Sequence, residues 1–246
     1  MKTTLFCWLL LAAVLLGGCA SKEYAAVPTL ARRVADNNPL VKDLPPFNRL
    51  VITEIARYPT NGTHAYWWPK KGEKQYDGVT QDVYFQGMKA LSGEPRQRTY
   101  CCGLTLEVFL NAWNRRIART PADAQKLKAD DWKTFQRLWF VEDLNGPGPS
   151  AALERFRLGR QIPFEEAQPG DFVQIWRNKV PNPSGHSVVF LNWVKNGQGE
   201  ITGLHYWSTQ ESNGIAENTE FFPKEGEPAA KPWRMVRDYV YVARVD

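Results

Sequence analysis

Thr99-Tyr100-Cys101-Cys102-Gly103-Leu104-Thr105-Leu106-Glu107-Val108-Phe109 opens the most regular apolar pattern in the chain. Leu106, Phe109, Leu110 and Trp113 recur at helical spacing, and Pro121 lies just past the expected end, so a helix is predicted from Cys101 to about Arg119. A cysteine in the first turn of a helix meets the positive end of the macrodipole and unpaired backbone N–H groups, both of which favour thiolate. Cys101 is therefore placed to act as a nucleophile. An N–H at the same helix start would also serve the oxyanion of a tetrahedral intermediate.

The other two cysteines, Cys7 and Cys19, fall in an N-terminal segment where Lys2 precedes an apolar run from Leu5 to Leu16 and then Gly17-Gly18-Cys19. That run is short for a membrane span and reads as an export signal over residues 1–18. Leu16-Gly17-Gly18-Cys19 resembles a bacterial lipobox, which implies acylation of Cys19 and a mature chain beginning there. Ala20 and Ser21 follow, without the aspartate that holds such lipoproteins in the inner membrane. The resemblance thus implies a lipid-anchored protein of the bacterial cell envelope, at the outer membrane facing the periplasm.

With Cys19 acylated, only the neighbours Cys101 and Cys102 remain, so no disulfide can join distant segments. Adjacent trans-linked Cα atoms are about 3.8 Å apart, below the usual bridging range, and free thiols are expected. Charge argues against nucleic acid. The formal +5 of the whole chain is modest and dispersed, with no long Lys/Arg run. The three histidines, His64, His186 and His205, share no short ligand spacing, so neither a metal nor another cofactor is expected.

Residues 19–48 carry Pro28, Pro39, Pro45 and Pro46 with little apolar periodicity and read as a tether. The remainder, 49–246, is of single-domain size, with apolar content sufficient for one core. Leu50 to Tyr58 suits either strand or short helix. Ala65-Tyr66-Trp67-Trp68-Pro69 and Val79 to Phe85 read as short strands, with at least one of Trp67 and Trp68 expected in the core. Helical zones are predicted from Pro121 to about Val141, where Asp130 or Asp131 caps the later part, and from Ser150 to Leu158. Gln168-Pro169-Gly170-Asp171 suits a type II turn feeding a strand from Phe172 to Trp176. Strands follow over His186–Val194, Ile201–Trp207 and Asp238–Val245. Helices first and strands after is α+β ordering with an antiparallel sheet.

His186 opens an apolar strand, a rigid platform for a general base. A third polar group should hold its other ring nitrogen, and Tyr206-Trp207-Ser208-Thr209-Gln210 supplies candidates. Alternation puts Ser208 and Gln210 on one face, His205 and Thr209 on the other.

These residues carry a family resemblance. Cys101-Cys102-Gly103-Leu104 resembles the Asp-Cys-Ser-Gly-Phe/Leu helix start of the NlpC-like cysteine peptidases, papain-related bacterial cell-wall hydrolases. Pro169-Gly170-Asp171-Phe172-Val173 resembles their Pro-Gly-Asp-Leu-Val strand entry, and Gly185-His186-Ser187-Val188-Val189 their Gly-His-Val-Gly-Ile strand. The match covers about Thr99 to Gln210. Tyr100 stands where the family has aspartate and Cys102 where it has serine, so motif alignment selects Cys101, with Cys102 as the alternative. For the third position Gln210 leads, followed by Ser208 and His205.

The resemblance implies a papain-like, NlpC-type α+β fold with an N-terminal strand-rich extension and a helical insertion at about 114–166. It implies amide hydrolysis, most readily in peptidoglycan stem peptides, through Cys101, His186 and Gln210 and a thioester intermediate. Two other readings stay open: acyl transfer or transglutaminase-like chemistry on the same fold, and a non-catalytic envelope lipoprotein that binds glycan or a protein partner.

Overall fold

A computed structural model describes residues 39–142, 145–178, 184–223 and 234–246. The apolar leader, Cys19 and the expected tether as far as residue 38 lie outside the described residues. The fold is α+β, with helices packed on antiparallel sheet. In chain order the helices are α1 (Pro39–Lys42), α2 (Pro46–Ile55), α3 (Cys101–Arg119), α4 (Trp132–Trp139) and α5 (Pro149–Arg155). A hairpin of β1 (Val83–Phe85) and β2 (Met88–Leu91) precedes α3. The main sheet holds β3 (Gly159–Ile162), β4 (Phe172–Asn178), β5 (Ser184–Lys195), β6 (Ile201–Gln210), β7 (Gly214–Phe221) and β8 (Val240–Val245), in the order β3-β8-β4-β5-β6-β7.

Helix α3 is the central element. Beyond the expected stripe, Leu104, Val108 and Ala112 are also fully buried, so its first three turns are covered on every side. Phe109 is the hub: its ring lies 5.1 Å from Phe135, 5.1 Å from Trp139, 5.8 Å from Phe47 and 6.1 Å from Phe172. One ring thus ties α2, α4 and β4 to α3, and burying a side chain of that size stabilises by about 1.5–3 kcal/mol. Arg116 and Arg119 suit the negative end of the helix dipole, and Pro121 forces Thr120 out of helical geometry.

Several expectations need correction. The tether read over residues 19–48 gives way to α2 at Pro46, where Phe47 and Asn48 are already buried. A proline at the first helical position loses no hydrogen bond, so Pro46 starts a helix where it was read as linker. The segment before α3 is not strand-rich, since beyond the short hairpin residues 65–69 contribute only one bridge, Tyr66 to Thr99. Neither Trp67 nor Trp68 is core. Trp67 is half-buried under the Arg98 guanidinium at 4.8 Å, and Trp68 is 56 % exposed. The insertion at 114–166 is not purely helical, because it contains β3, which pairs with the last strand of the chain. Asp131 precedes α4 without a side-chain cap bond.

Besides β3, two further strands gave no sequence signal. β2, Met-Lys-Ala-Leu, lacks β-branched residues; it is held by a two-residue turn in which Gln86 and Gly87 both have positive φ, 48° and 82°. Gln86 offsets that conformation by donating to the carbonyls of Ala124 and Leu127, both at 2.8 Å. β7 is a polar edge strand, the composition that edges carry to resist further pairing.

Gly170 has φ 92°, as a type II turn requires, and an added Cβ would meet the Asn48 carbonyl oxygen at 2.7 Å. Asp171 behind it is fully buried. It accepts from Asn48 Nδ2 at 2.8 Å, from the Gln168 N–H at 2.7 Å, and from Arg244 Nε and Nη2 at 2.9 and 2.7 Å. Helix α2, the β4 turn and β8 therefore share one carboxylate. Asp171→Ala should cost about 3–5 kcal/mol, because it leaves a largely buried guanidinium unpaired; the urea unfolding free energy checks this, and a loss under about 1 kcal/mol would contradict it.

Glu107, buried on α3, accepts from the Thr80 N–H at 2.7 Å and hydroxyl at 2.6 Å. Burial outweighs those bonds and pushes its carboxyl up to about 7. The native state then binds more protons than the unfolded chain between about 4.5 and about 7, so stability falls as pH rises through that window. Glu107→Gln should flatten this decline, measured as urea midpoints across the range.

Candidate active site

Two hydroxyl pairs lock the start of α3 against the sheet. Thr99 Oγ1 donates to Thr209 Oγ1 at 2.9 Å, and Thr105 Oγ1 lies 2.9 Å from Ser187 Oγ. The first pair sits two residues before Cys101 and one before Gln210; the second sits one helical turn after Cys101 and one residue after His186. The Thr99 N–H donates to the Ala65 carbonyl at 2.9 Å, and the Trp67 N–H donates back to Thr99 O at 2.8 Å. At Gly103 an added Cβ would come within 1.8 Å of the Asp77 carbonyl oxygen, so only glycine lets the helix enter here.

Cys101, His186 and Gln210 are brought together. Cys101 and Cys102 are free thiols, 8 % and 7 % exposed, and His186 is 5 % exposed. The Gln210 carboxamide nitrogen stands 3.0 Å from His186 Nε2, which leaves Nδ1 for the sulfur. That nitrogen also donates to the Tyr206 hydroxyl at 2.5 Å, and Tyr206 donates to Glu220 Oε1 at 2.7 Å. Glu220 in turn accepts from Arg177, through Nε at 2.8 Å and through Nη2.

The Cys101 thiol is held well below its ordinary range. The Cys102 S–H donates to its sulfur, which outweighs burial, and the charge and hydrogen bond of His186 and the Ser187 N–H add to the effect. The same contact pushes the Cys102 thiol up, with burial and the Cys101 charge acting alike. The two neighbouring thiols are thus pushed in opposite directions, Cys101 down and Cys102 up. Tyr66, raised first by burial and then by the charge of the neighbouring cysteine pair, presents a neutral phenol beside the sulfurs.

The other candidates for the third position are elsewhere engaged. Ser208 donates to the Ser187 carbonyl at 2.9 Å, and His205 lies 3.1 Å from both Thr219 Oγ1 and Glu217 Oε2 on β7. His64 Nδ1 is bound at the Gln97 carbonyl, 2.9 Å away. Among the described residues no three of His, Cys, Asp and Glu gather as a metal site.

Cys101 and His186 open into a cleft of about 910 Å³. Tyr66, Trp68 and Tyr76 line it on one side, Lys133, Gln136 and Phe140 on another. The segment after α3 therefore walls the cleft, and Gln136 Nε2 donates to Asp77 Oδ1 at 2.7 Å to hold that wall. A concave, aromatic-lined space containing a perturbed nucleophile is the usual form of a small-molecule or peptide site.

Sequence reasoning missed Tyr66, Tyr206, Glu220 and Arg177. Tyr206 alone carried a usable signal, since alternation puts it on the Gln210 face of β6. Searches against protein families, curated proteins and solved structures found no match to this chain.

Cys102→Ala should move the pH midpoint of Cys101 alkylation upward, because the thiolate loses its nearest donor. Cys102→Ser, which keeps a donor, should retain most of the wild-type profile. Iodoacetamide labelling followed by peptide mass spectrometry reads both, and identical profiles for Cys102→Ala and wild type would contradict the assignment.

Proposed function

We infer that the protein is a cysteine hydrolase of amide bonds, with Cys101 as nucleophile, His186 as its acid and base, and Gln210 holding the imidazole. The observation that carries the reading is a cleft lined by both Cys101 and His186, where a carboxamide meets the imidazole Nε2 and the thiol at the helix start is held below its ordinary range. Thiol, base and orienting group in that relation make up the triad logic of acyl transfer.

In this mechanism the Cys101 thiolate attacks the amide carbonyl. The oxyanion takes hydrogen bonds from N–H groups of the α3 start, which has no side-chain cap, and from the Tyr66 phenol. Each such donor is worth about 2.7–4 kcal/mol in comparable sites. His186 gives its Nδ1 proton to the departing amine, leaving a thioester on Cys101. It then takes a proton from the water that resolves the thioester; the carboxylic acid product leaves, and the Cys101 thiolate and His186 imidazolium re-form.

The papain-like, NlpC-type assignment is part of the same proposal. It is supported by a nucleophile helix packed against an antiparallel sheet, with Cys, His and the polar residue in that chain order. Pro169-Gly170-Asp171 acts in it as the structural turn already described. By resemblance the amide lies in peptidoglycan stem peptides, and an acylated Cys19, facing the periplasm from the outer membrane, would keep the enzyme beside that polymer.

Purified cell wall incubated with the protein should release peptide fragments, identified by mass spectrometry. Cys101→Ala and His186→Ala should each abolish release with circular dichroism unchanged, while Cys102→Ala keeps measurable release. Undiminished release by Cys101→Ala would falsify the nucleophile, and loss confined to Cys102→Ala would transfer the role to that residue.

A further inference from the structure

The polar network does not stop at Gln210. From His186 Nε2 it runs through the carboxamide (3.0 Å), the Tyr206 hydroxyl (2.5 Å) and Glu220 Oε1 (2.7 Å) to the Arg177 guanidinium. Both ends of the Arg177–Glu220 pair are nearly inaccessible, at 10 % and 11 % side-chain exposure. A buried ion pair offers little net stability against apolar residues of the same size, because desolvation consumes most of the attraction. Its place directly behind the dyad calls for another reason.

We propose that Tyr206, Glu220 and Arg177 are positioning residues of the active site: Tyr206 holds the Gln210 carboxamide on His186, and the buried ion pair favours the charge-separated form of the Cys101–His186 dyad. The inference rests on the reading of Cys101 and His186 as the reacting pair.

The electrostatics agree with the geometry. Burial alone would raise the Glu220 carboxyl, yet it is held low, first by the Arg177 hydrogen bond and charge and then by the charge of His186. Arg177 responds to the Cys101 charge. The negative end of the pair thus acts favourably on the imidazolium and the positive end on the thiolate, in a medium where water screens little. A carboxamide serves the ring in either charge state, by turning nitrogen to a bare Nε2 or oxygen to Nε2–H. In the second orientation the Tyr206 hydroxyl, whose one proton otherwise goes to Glu220, turns that proton to the carboxamide oxygen, so Tyr206 can hold Gln210 in either state.

The titratable groups facing the sulfur are Cys102 and Tyr100 on α3 and its cap, Tyr66 on the preceding loop, His186 on β5 and Arg177 on β4. Those facing Glu220 are Arg177, His186 and Tyr206. Glu220→Gln removes the negative charge while leaving an acceptor for Tyr206.

The test is the pH profile of Cys101 alkylation by iodoacetamide, run on the whole protein beside cell-wall hydrolysis. Glu220→Gln should move the alkylation midpoint upward and slow alkylation at neutral pH several-fold. Tyr206→Phe, which keeps the ion pair and the ring, should shift it in the same direction by less and lower kcat with KM unchanged. A residue of purely structural importance would change thermal stability without moving the alkylation profile. Profiles of both variants superimposed on wild type, or displaced downward, overturn the proposal. Upward shifts in a protein that releases no peptide would leave the network standing and remove the hydrolase reading instead.

Discussion

Thr99–Thr209 and Thr105–Ser187 are short-range bonds with long-range consequences. Each joins the first turns of α3 to a strand more than eighty positions away in the chain, with both partners buried. A buried hydroxyl left without a partner costs about 1–3 kcal/mol, so neither pair can slide without a penalty comparable to a good fraction of total stability. Because Cys101 lies between the two threonines, and His186 and Gln210 each adjoin one of their partners, the same bonds that hold the helix on the sheet set the spacing of the three side chains of the candidate site. Gly103 adds the steric half of the constraint, since any larger residue would push the helix start away from Asp77.

Legibility followed how local each cause was. The α3 helix, the turn at Gly170 and the strands β4, β5 and β6 were readable because periodicity, proline and glycine act within a few residues. That Cys101 and His186 would line one cleft, with Gln210 against the imidazole, was readable because each stands at the end of an element whose pattern is local. What escaped depends on partners far away in sequence. β7 is strand because β6 offers it a ladder, and its own Asn, Glu and Thr say nothing of it. Trp67 and Trp68 look like core by composition, yet they line a loop where Arg98 and Tyr100 cover them in part. Glu220 and Arg177, 43 residues apart, have no mutual signal in the chain at all.

Cys102 illustrates how a departure from a motif acquires meaning from geometry. A serine at that position would also offer a donor to the neighbouring sulfur. The thiol is the weaker donor and the more easily ionised group. Its bond to Cys101, burial and the Cys101 charge push it up, while the same bond and His186 hold Cys101 down, so the two adjacent cysteines are moved apart in their readiness to ionise.

Buried carboxylates divide the molecule into parts that hold and parts that act. Asp171 with Arg244 and Glu54 with Arg115 join segments of backbone, and each stands well away from the cleft. Glu107 has backbone and hydroxyl donors but no cation, which is why its proton is retained to about 7. Among the described residues, Glu220 alone combines a guanidinium with a hydrogen-bonded route to the imidazole. If stability were the only requirement, apolar residues could replace all three ion pairs at little cost. What such residues could not supply is direction: a charge aimed through Tyr206 and Gln210 at one nitrogen of one histidine, fixed before any substrate arrives. The proposed mechanism would draw on that kind of prior arrangement, because groups already oriented need not reorganise as charge develops at the sulfur and the carbonyl.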